Sequence, residues 1–138
     1  MKLLLSSESF KELILGSPSS RRIVSNAIET FTKKNHLFVL ALPSLDEILS
    51  REKDSVKREI IWNQCRTLFV DLLPIGKEET VLALRLSVSP TLSWDQWTQI
   101  ALASLTDLDG ILCFDKSWKG QDMVKILLAQ EIDLGGIA

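Results

Sequence analysis

The stretch SWDQWTQIALASLTDLDGILCFD, residues 93–115, decides the fold class. Ser93 and Gln96 have the spacing of a capping box, which predicts that a helix begins there. The Asp-Gly pair at 109–110 predicts a turn. The four apolar residues 111–114 then predict a strand that is buried on both faces and ends at Asp115. The stretch therefore indicates a helix that leads into an inner strand of a parallel sheet.

The rest of the chain repeats this alternation of apolar runs and helical spacing. Apolar runs predict strands at 1–5, 37–42 and, more weakly, 70–75. Spacing and capping signals predict helices over 10–15, from Ser17, from Ser44, over 54–69, from 77 through 86, and near 121–129, followed by a short extended tail. Strands alternating with helices predict one α/β domain, 1–138, with a central mostly parallel sheet and helices on both faces.

Composition and charge narrow the class of protein. The chain has 138 residues, of which 46% are hydrophobic and 25% charged, as is usual for a globular domain. Its net charge of −2 provides no overall basic field for nucleic acid. The two cysteines have no metal-site spacing, and the apolar runs are too short to cross a bilayer. We therefore expect a reduced, cytoplasmic protein that does not enter a membrane.

Acidic residues follow several of the predicted strands. Because ligands of such sheets bind at the carboxyl ends of the strands, these residues are the candidate site. They are Glu8, Glu47, Asp95 in the first turn of its helix, and Asp115. Carboxylates that share one edge repel one another unless they take up protons or a cation joins them. Oxygen ligands of this kind suit Mg²⁺ or Mn²⁺.

Each of these acids also has a structural interpretation. Glu47 has the spacing to close a capping box with Ser44. Asp95 suits the positive end of a helix dipole, and Glu8 has the position of an exposed first-turn acid. Asp115 suits a turn or a cap after a strand. Spacing alone leaves both interpretations open at every position.

The order of these segments resembles that of PIN domains, a nuclease fold found in many prokaryotic toxin–antitoxin toxins. Residues 92–103 resemble the family's helix, which an Asp opens and an Ala-x-Ala segment ends. Residues 109–118 resemble its following strand, and residues 41–49 resemble the segment with its glutamate. The resemblance covers nearly the whole chain and implies a three-layer sandwich around the sheet.

In that family, four acids hold one or two divalent ions that cleave RNA. The resemblance places three of them here as catalytic and metal-binding residues: Glu47, Asp95 and Asp115. The fourth is missing, because Ser6 stands where the family has its first Asp, and Glu8 stands where it has Asn or Ser. Glu8 is a further candidate metal ligand if its longer side chain reaches back. Cys113 and Ser117 replace a threonine and an additional Asp of the family.

These observations leave two functional hypotheses. The first is a Mg²⁺- or Mn²⁺-dependent endoribonuclease, weak or inactive because its acidic site is incomplete. Its substrate would be single-stranded RNA, contacted by the basic residues Arg51, Lys53, Lys57 and Arg58. The second is a non-catalytic PIN-like module that binds RNA or a protein partner. By resemblance, the partner would be antitoxin-like and the protein a homodimer.

Overall fold

The computed structural model describes residues 1–133. Its strands are β1 (Lys2–Leu5), β2 (Leu37–Ala41), β3 (Asp71–Leu73), β4 (Gly110–Cys113) and β5 (Ile126–Leu128). Its helices are α1 (Ser7–Leu15), α2 (Pro18–Lys33), α3 (Leu42–Arg51), α4 (Ser55–Leu68), α5 (Lys77–Leu86), α6 (Trp94–Leu105) and α7 (Ala129–Asp133). A short 3-10 turn, Lys116–Lys119, lies between β4 and β5. No helix within this part of the chain is long and apolar enough to span a membrane.

The five strands form one parallel sheet in the order β3-β2-β1-β4-β5. Side chains alternate between its faces, so Leu3 and Leu5 enter one core while Leu4 enters the other. The first core is covered by α1 to α4 and α7, and the second by α5 and α6. The expected α/β sandwich is confirmed, and β1 lies at the centre with β2 and β4 beside it.

Local signals in the sequence account for most helix boundaries. Ser17 caps α2, with Pro18 in its first turn. Ser93 and Gln96 form the predicted capping box of α6, with hydrogen bonds of 3.2 and 2.9 Å. Asn35 ends the segment after α2 with a φ of 65°, a conformation that asparagine tolerates better than most residues. The predicted helix starts at Ser17 and Ser93 are confirmed.

The predicted helix start at Ser44 is wrong. Helix α3 begins at Leu42 directly after β2, and Ala41 at its N-cap makes no side-chain hydrogen bond. Pro43 therefore does not separate strand from helix, because proline fits the first turn, where its missing N–H has no partner to lose. Ser44 is buried inside the helix, so it does not form the predicted capping box with Glu47.

The predicted helix over 121–129 is also wrong. Gln121 stabilises a turn instead, since its Oε1 accepts hydrogen bonds from the backbone N–H groups of Met123 and Val124. The chain then continues as the edge strand β5, and α7 begins only at Ala129. Short apolar runs do not distinguish an edge strand from a helix. The extended tail that the sequence predicts at the end lies outside the described residues.

We expect Leu4→Ala to destabilise the protein by about 2–5 kcal/mol, because the deletion leaves a cavity beneath the central strand. Leu4 is 0% exposed. Leu84→Ala is the control, since Leu84 on α5 is 58% exposed, and it should cost about 1 kcal/mol or less. Urea denaturation of both variants measures the difference, and equal losses would contradict the assigned centre of the sheet.

Candidate functional site

The site is built around the junction between β1 and α1, at the carboxyl end of the central strand. Ser6 is fully buried there and caps α1, accepting a hydrogen bond from the backbone N–H of Ser9 at 3.2 Å. Its own backbone N–H donates to the carbonyl oxygen of Leu112 in the neighbouring strand. Ser6 is thus held by both β4 and α1. Helix α1 begins earlier than residue 10, where the sequence predicts it, because this serine caps it.

The carboxylate of Glu8 turns back into this junction and accepts hydrogen bonds from five groups. Its Oε1 accepts from Trp118 Nε1 at 2.6 Å and from the backbone N–H groups of Phe114 and Asp115, both at 3.3 Å. Its Oε2 accepts from the Ser6 hydroxyl and from the backbone N–H of Ser9 at 3.1 Å. Glu8 is therefore not the exposed first-turn acid of the structural interpretation.

Burial and hydrogen bonding act on Glu8 in opposite directions. Burial raises the pKa of the Glu8 carboxyl above its ordinary value, and the hydrogen bonds from Ser6, Asp115, Trp118 and Phe114 lower it by a smaller amount. The same burial raises the pKa of the adjacent Cys113 thiol, with the Glu8 charge adding to the effect. Cys113 therefore stays a protonated core residue rather than a nucleophile.

Asp95 is connected to the same junction through Ser7 and Gln99. Its Oδ2 accepts from the Ser7 hydroxyl at 2.5 Å and from Gln99 Nε2 at 3.0 Å. Gln99, which is 1% exposed, also accepts from the Ser7 backbone N–H at 2.8 Å. The amide of Gln99 thus joins the first turns of α1 and α6, and Asp95 lies exposed at the rim of this contact.

Asp115 caps the short turn that follows β4. Its Oδ1 accepts from the backbone N–H of Ser117 at 2.9 Å, and its side chain is exposed. The hydroxyl of Ser117 accepts from Gln96 Nε2 at 2.7 Å, which ties the turn to α6. Trp118 lies within the turn and is 1% exposed, and its indole N–H donates to Glu8. The capping interpretation of Asp115 is therefore confirmed.

Glu47 is engaged elsewhere, on the surface of α3. Its Oε1 accepts from Arg51 Nη2 at 2.8 Å, one helical turn away, and both side chains are about half exposed at 50% and 49%. An exposed pair at this spacing contributes less than ~1 kcal/mol. Glu47 follows β2, next to β1, so it belongs to the same edge of the sheet as Glu8 and Asp115, but its side chain pairs within its own helix.

The residues present do not fit a divalent metal as they are arranged. Within residues 1–133, no group of three or more histidine, cysteine, aspartate or glutamate side chains could hold a metal ion. Glu8 has both oxygens occupied by N–H and O–H donors, and Ser6 directs its hydroxyl hydrogen at Glu8. The structure thus joins Asp95, Glu8 and Asp115 through hydrogen bonds and leaves Glu47 apart. The described residues therefore form no cluster of three such ligands in this arrangement, and the role of Glu47, Asp95, Asp115 and Glu8 as metal ligands stays a prediction.

Two of the predicted RNA-contact residues form hydrogen bonds with groups on α3. Arg51 pairs with Glu47, and Arg58 donates from Nε to the carbonyl oxygen of Leu49 at 3.1 Å. Lys53 and Lys57 are exposed. The contribution of this strip to RNA binding stays a prediction.

An apolar surface that the sequence did not single out lies between α1 and α4. Three adjoining depressions share residues there, and we call this surface the α1–α4 trough; its central residues are Leu13, Ile14, Ile60, Gln64 and Leu68. Its innermost part has a volume of about 140 Å³ and reaches Phe10, Cys65 and Phe69. Only Ile61 and Cys65 of α4 are buried, so most of this helix faces solvent. The signal that the sequence offered is the number of apolar residues on α4, which is larger than the two side chains that the fold buries.

Comparison with solved structures supports the fold. The chain is similar to one in the crystal structure of VapBC2 from Rickettsia felis bound to a DNA fragment from their promoter, with a TM-score of 0.71 and 12% sequence identity. The similarity covers 93% of this chain and 98% of that chain. No protein-family model matches the sequence, and no curated protein does so either. The fold is therefore PIN-like, as the resemblance implied.

The buried position of Ser6 predicts that an Asp there is harmful. Ser6→Asp would place a second carboxylate against that of Glu8 at a fully buried position, and we expect a loss of about 3 kcal/mol or more. Urea denaturation at neutral pH, with and without Mn²⁺, measures it.

Ser6→Asn is the matched control, because it adds the same volume without a charge and can still donate to Glu8. We expect it to retain clearly more stability than Ser6→Asp. Equal stability of the two variants would contradict the expected cost of a second charge. Restoration of Ser6→Asp by Mn²⁺ to the stability of Ser6→Asn would show that the acids at this edge form a cation site.

Proposed function

We propose that this protein is a non-catalytic PIN-like module that acts by binding a protein partner in the α1–α4 trough. The observation that carries the proposal is the trough itself, an apolar surface beside a helix with two buried side chains. The arrangement of the acids supports the same conclusion, since Glu8 and Asp95 are already occupied by hydrogen bonds within the chain.

The shape and chemistry of the trough suit an amphipathic helix. Ile60 is 52% exposed and Val56, one turn earlier, is 64% exposed. Arg21, Glu52 and Lys57 supply charges at one end, where Leu15 adds a further apolar side chain. A helix that docks between two others places residues spaced by three and four in such a groove. The partner we propose therefore presents an apolar ridge bordered by charges.

The similar solved structure suggests where to look for that partner. VapBC2 pairs two proteins that share a promoter. By analogy, we propose an antitoxin-like protein encoded in the same transcription unit as this chain. The two cysteines are free and buried, which is consistent with a location in the reducing cytoplasm, as we propose.

A weak Mg²⁺- or Mn²⁺-dependent endoribonuclease is the second candidate. It is favoured by one observation, that Asp95 and Asp115 are both exposed beside the junction that Glu8 closes. In this candidate they act as catalytic residues together with Glu47, which would first leave Arg51. Single-stranded RNA is the proposed substrate.

A homodimer is a further proposal that follows from the resemblance. The exposed apolar residues Val81, Leu84 and Val88 on and after α5 offer a surface for it. Light scattering at several protein concentrations measures the mass directly.

We expect Ile60→Asp to weaken partner binding at least tenfold while leaving the fold intact, because a charge would be desolvated when the partner covers it. The measurement is calorimetric titration with the protein encoded in the same transcription unit. Met123→Asp is the control, since Met123 is similarly exposed at 45% but precedes β5, the edge strand opposite the one that follows α4. Equal affinities of the two variants would show that the trough is not the binding surface.

Cleavage assays separate the two candidates. We expect single-stranded RNA to be cut no faster by the wild type with Mg²⁺ or Mn²⁺ than by Asp95→Asn, because the acids are not gathered around a cation. A metal-dependent cleavage that Asp95→Asn abolishes would instead establish the ribonuclease.

A further inference from the structure

We propose that the end of β1 is a pocket for an anion, and that the chain fills it with its own Glu8 carboxylate. The edge of the sheet at which PIN-like folds gather acids around a cation would then favour an anion here. This inference rests on the hydrogen bonds of Glu8 alone, and it stands whether or not the trough binds a partner.

The geometry of the pocket follows from its donors. Glu8 is met by the backbone N–H groups of Ser9, Phe114 and Asp115, by the indole N–H of Trp118 and by the hydroxyl of Ser6. An N–H group can only donate, so four of these five groups require an acceptor. Each contact presents a hydrogen, the positive end of its bond dipole, to the centre of the pocket. A cation placed there would meet the wrong sign of charge from every direction.

The donors come from parts of the chain that are far apart in sequence. Ser6 and Ser9 belong to the beginning of α1, whereas Phe114, Asp115 and Trp118 follow β4, more than 100 residues later. A carboxylate accepts several donors at once and can therefore fasten these two segments together. Glu8 thus joins the ends of two adjacent strands, β1 and β4, which pair in parallel register.

The two side chains that line the pocket, Ser6 and Trp118, depend on the Glu8 carboxylate that fills it. Ser6 is uncharged and donates its hydroxyl hydrogen, so it tolerates a neighbouring carboxylate that an Asp would repel. Trp118 closes the outer side and is 1% exposed. Removing the Glu8 side chain beyond Cβ would leave an empty space the size of an acetate ion. The N–H groups of Phe114, Asp115 and Trp118 would lose their acceptor. The Ser6 hydroxyl and the backbone N–H of Ser9 would keep only the contacts between these two residues.

This predicts chemical rescue of Glu8→Ala by acetate. We expect the variant to melt roughly 10 °C below the wild type, because several buried donors lose their acceptor. Acetate at neutral pH should restore several degrees in a saturable manner, because a ligand of the folded state alone stabilises it by mass action. Acetamide, which has the same size and no charge, and sodium chloride at equal ionic strength should restore clearly less.

Glu47→Ala is the matched control for acetate itself. It also removes a glutamate side chain beyond Cβ, but from an exposed position, so acetate should shift its melting temperature no more than that of the wild type. An equal shift in Glu8→Ala and Glu47→Ala, or no rescue by acetate, would overturn the proposal.

Glu8→Gln tests the charge preference directly and keeps the test decisive if Glu8→Ala does not fold. Its carbonyl oxygen can still accept from Trp118 and from the backbone of Phe114 and Asp115, but its NH₂ group would face the N–H of Ser9. We therefore expect a lower melting temperature than in the wild type and no response to acetate, because the pocket remains filled. A melting temperature at or above that of the wild type would overturn the proposal, as would stabilisation of the wild type by millimolar Mn²⁺ that Glu8→Gln abolishes.

Discussion

The carboxylate of Glu8 is largely buried where the first and fourth strands end, and much of the arrangement around it depends on that constraint. A buried carboxylate is costly unless donors surround it. Here they are supplied by a helix cap, by two backbone groups after β4 and by an indole. Ser6, Trp118 and the turn after β4 therefore have to take the positions that they do. The same contacts occupy the lone pairs that a metal ligand would need free.

Most of the fold could be predicted from the sequence, because β1, β2 and β4 are continuous apolar runs and several of the intervening helices begin at side-chain caps. The errors occurred where a local signal competed with tertiary packing. Pro43 indicated a break, yet the chain enters α3 without one, since a first-turn proline is compatible with a helix. The region after Gln121 looked helical, but pairing with β4 makes residues 126–128 an edge strand. Such pairing involves partners distant in sequence, so no local pattern contains it.

The sequence predicted where the candidate site lies in the sheet better than it predicted the directions of the side chains there. Topology alone puts residues after β1, β2 and β4 at one edge, and Ser7, Glu8, Asp95 and Asp115 are connected there. What spacing could not supply is the direction of each side chain. Glu8 could face solvent, reach a metal or turn inward, and the decision depends on Trp118, a residue 110 positions away. The link that Gln99 makes between α1 and α6 could not be predicted either. No spacing pattern in the sequence marks a glutamine on the buried face of a helix as the partner of another helix.

The pairing of Ser6 with Glu8 also bears on which charge this edge of the sheet accommodates. In the PIN-domain pattern that the sequence resembles, an Asp follows the first strand and Asn or Ser stands two residues later, so the charge comes first and the neutral side chain second. Here the order is reversed, and the total number of carboxylates in the segment is unchanged. The negative charge of Glu8 lies among five hydrogen-bond donors, which stabilise it in part. An Asp at position 6 alone would put two carboxylates side by side, and a neutral side chain at position 8 alone would leave the donors without their anion. We therefore expect positions 6 and 8 to be energetically coupled, so that the number of acids at this edge does not by itself predict metal binding.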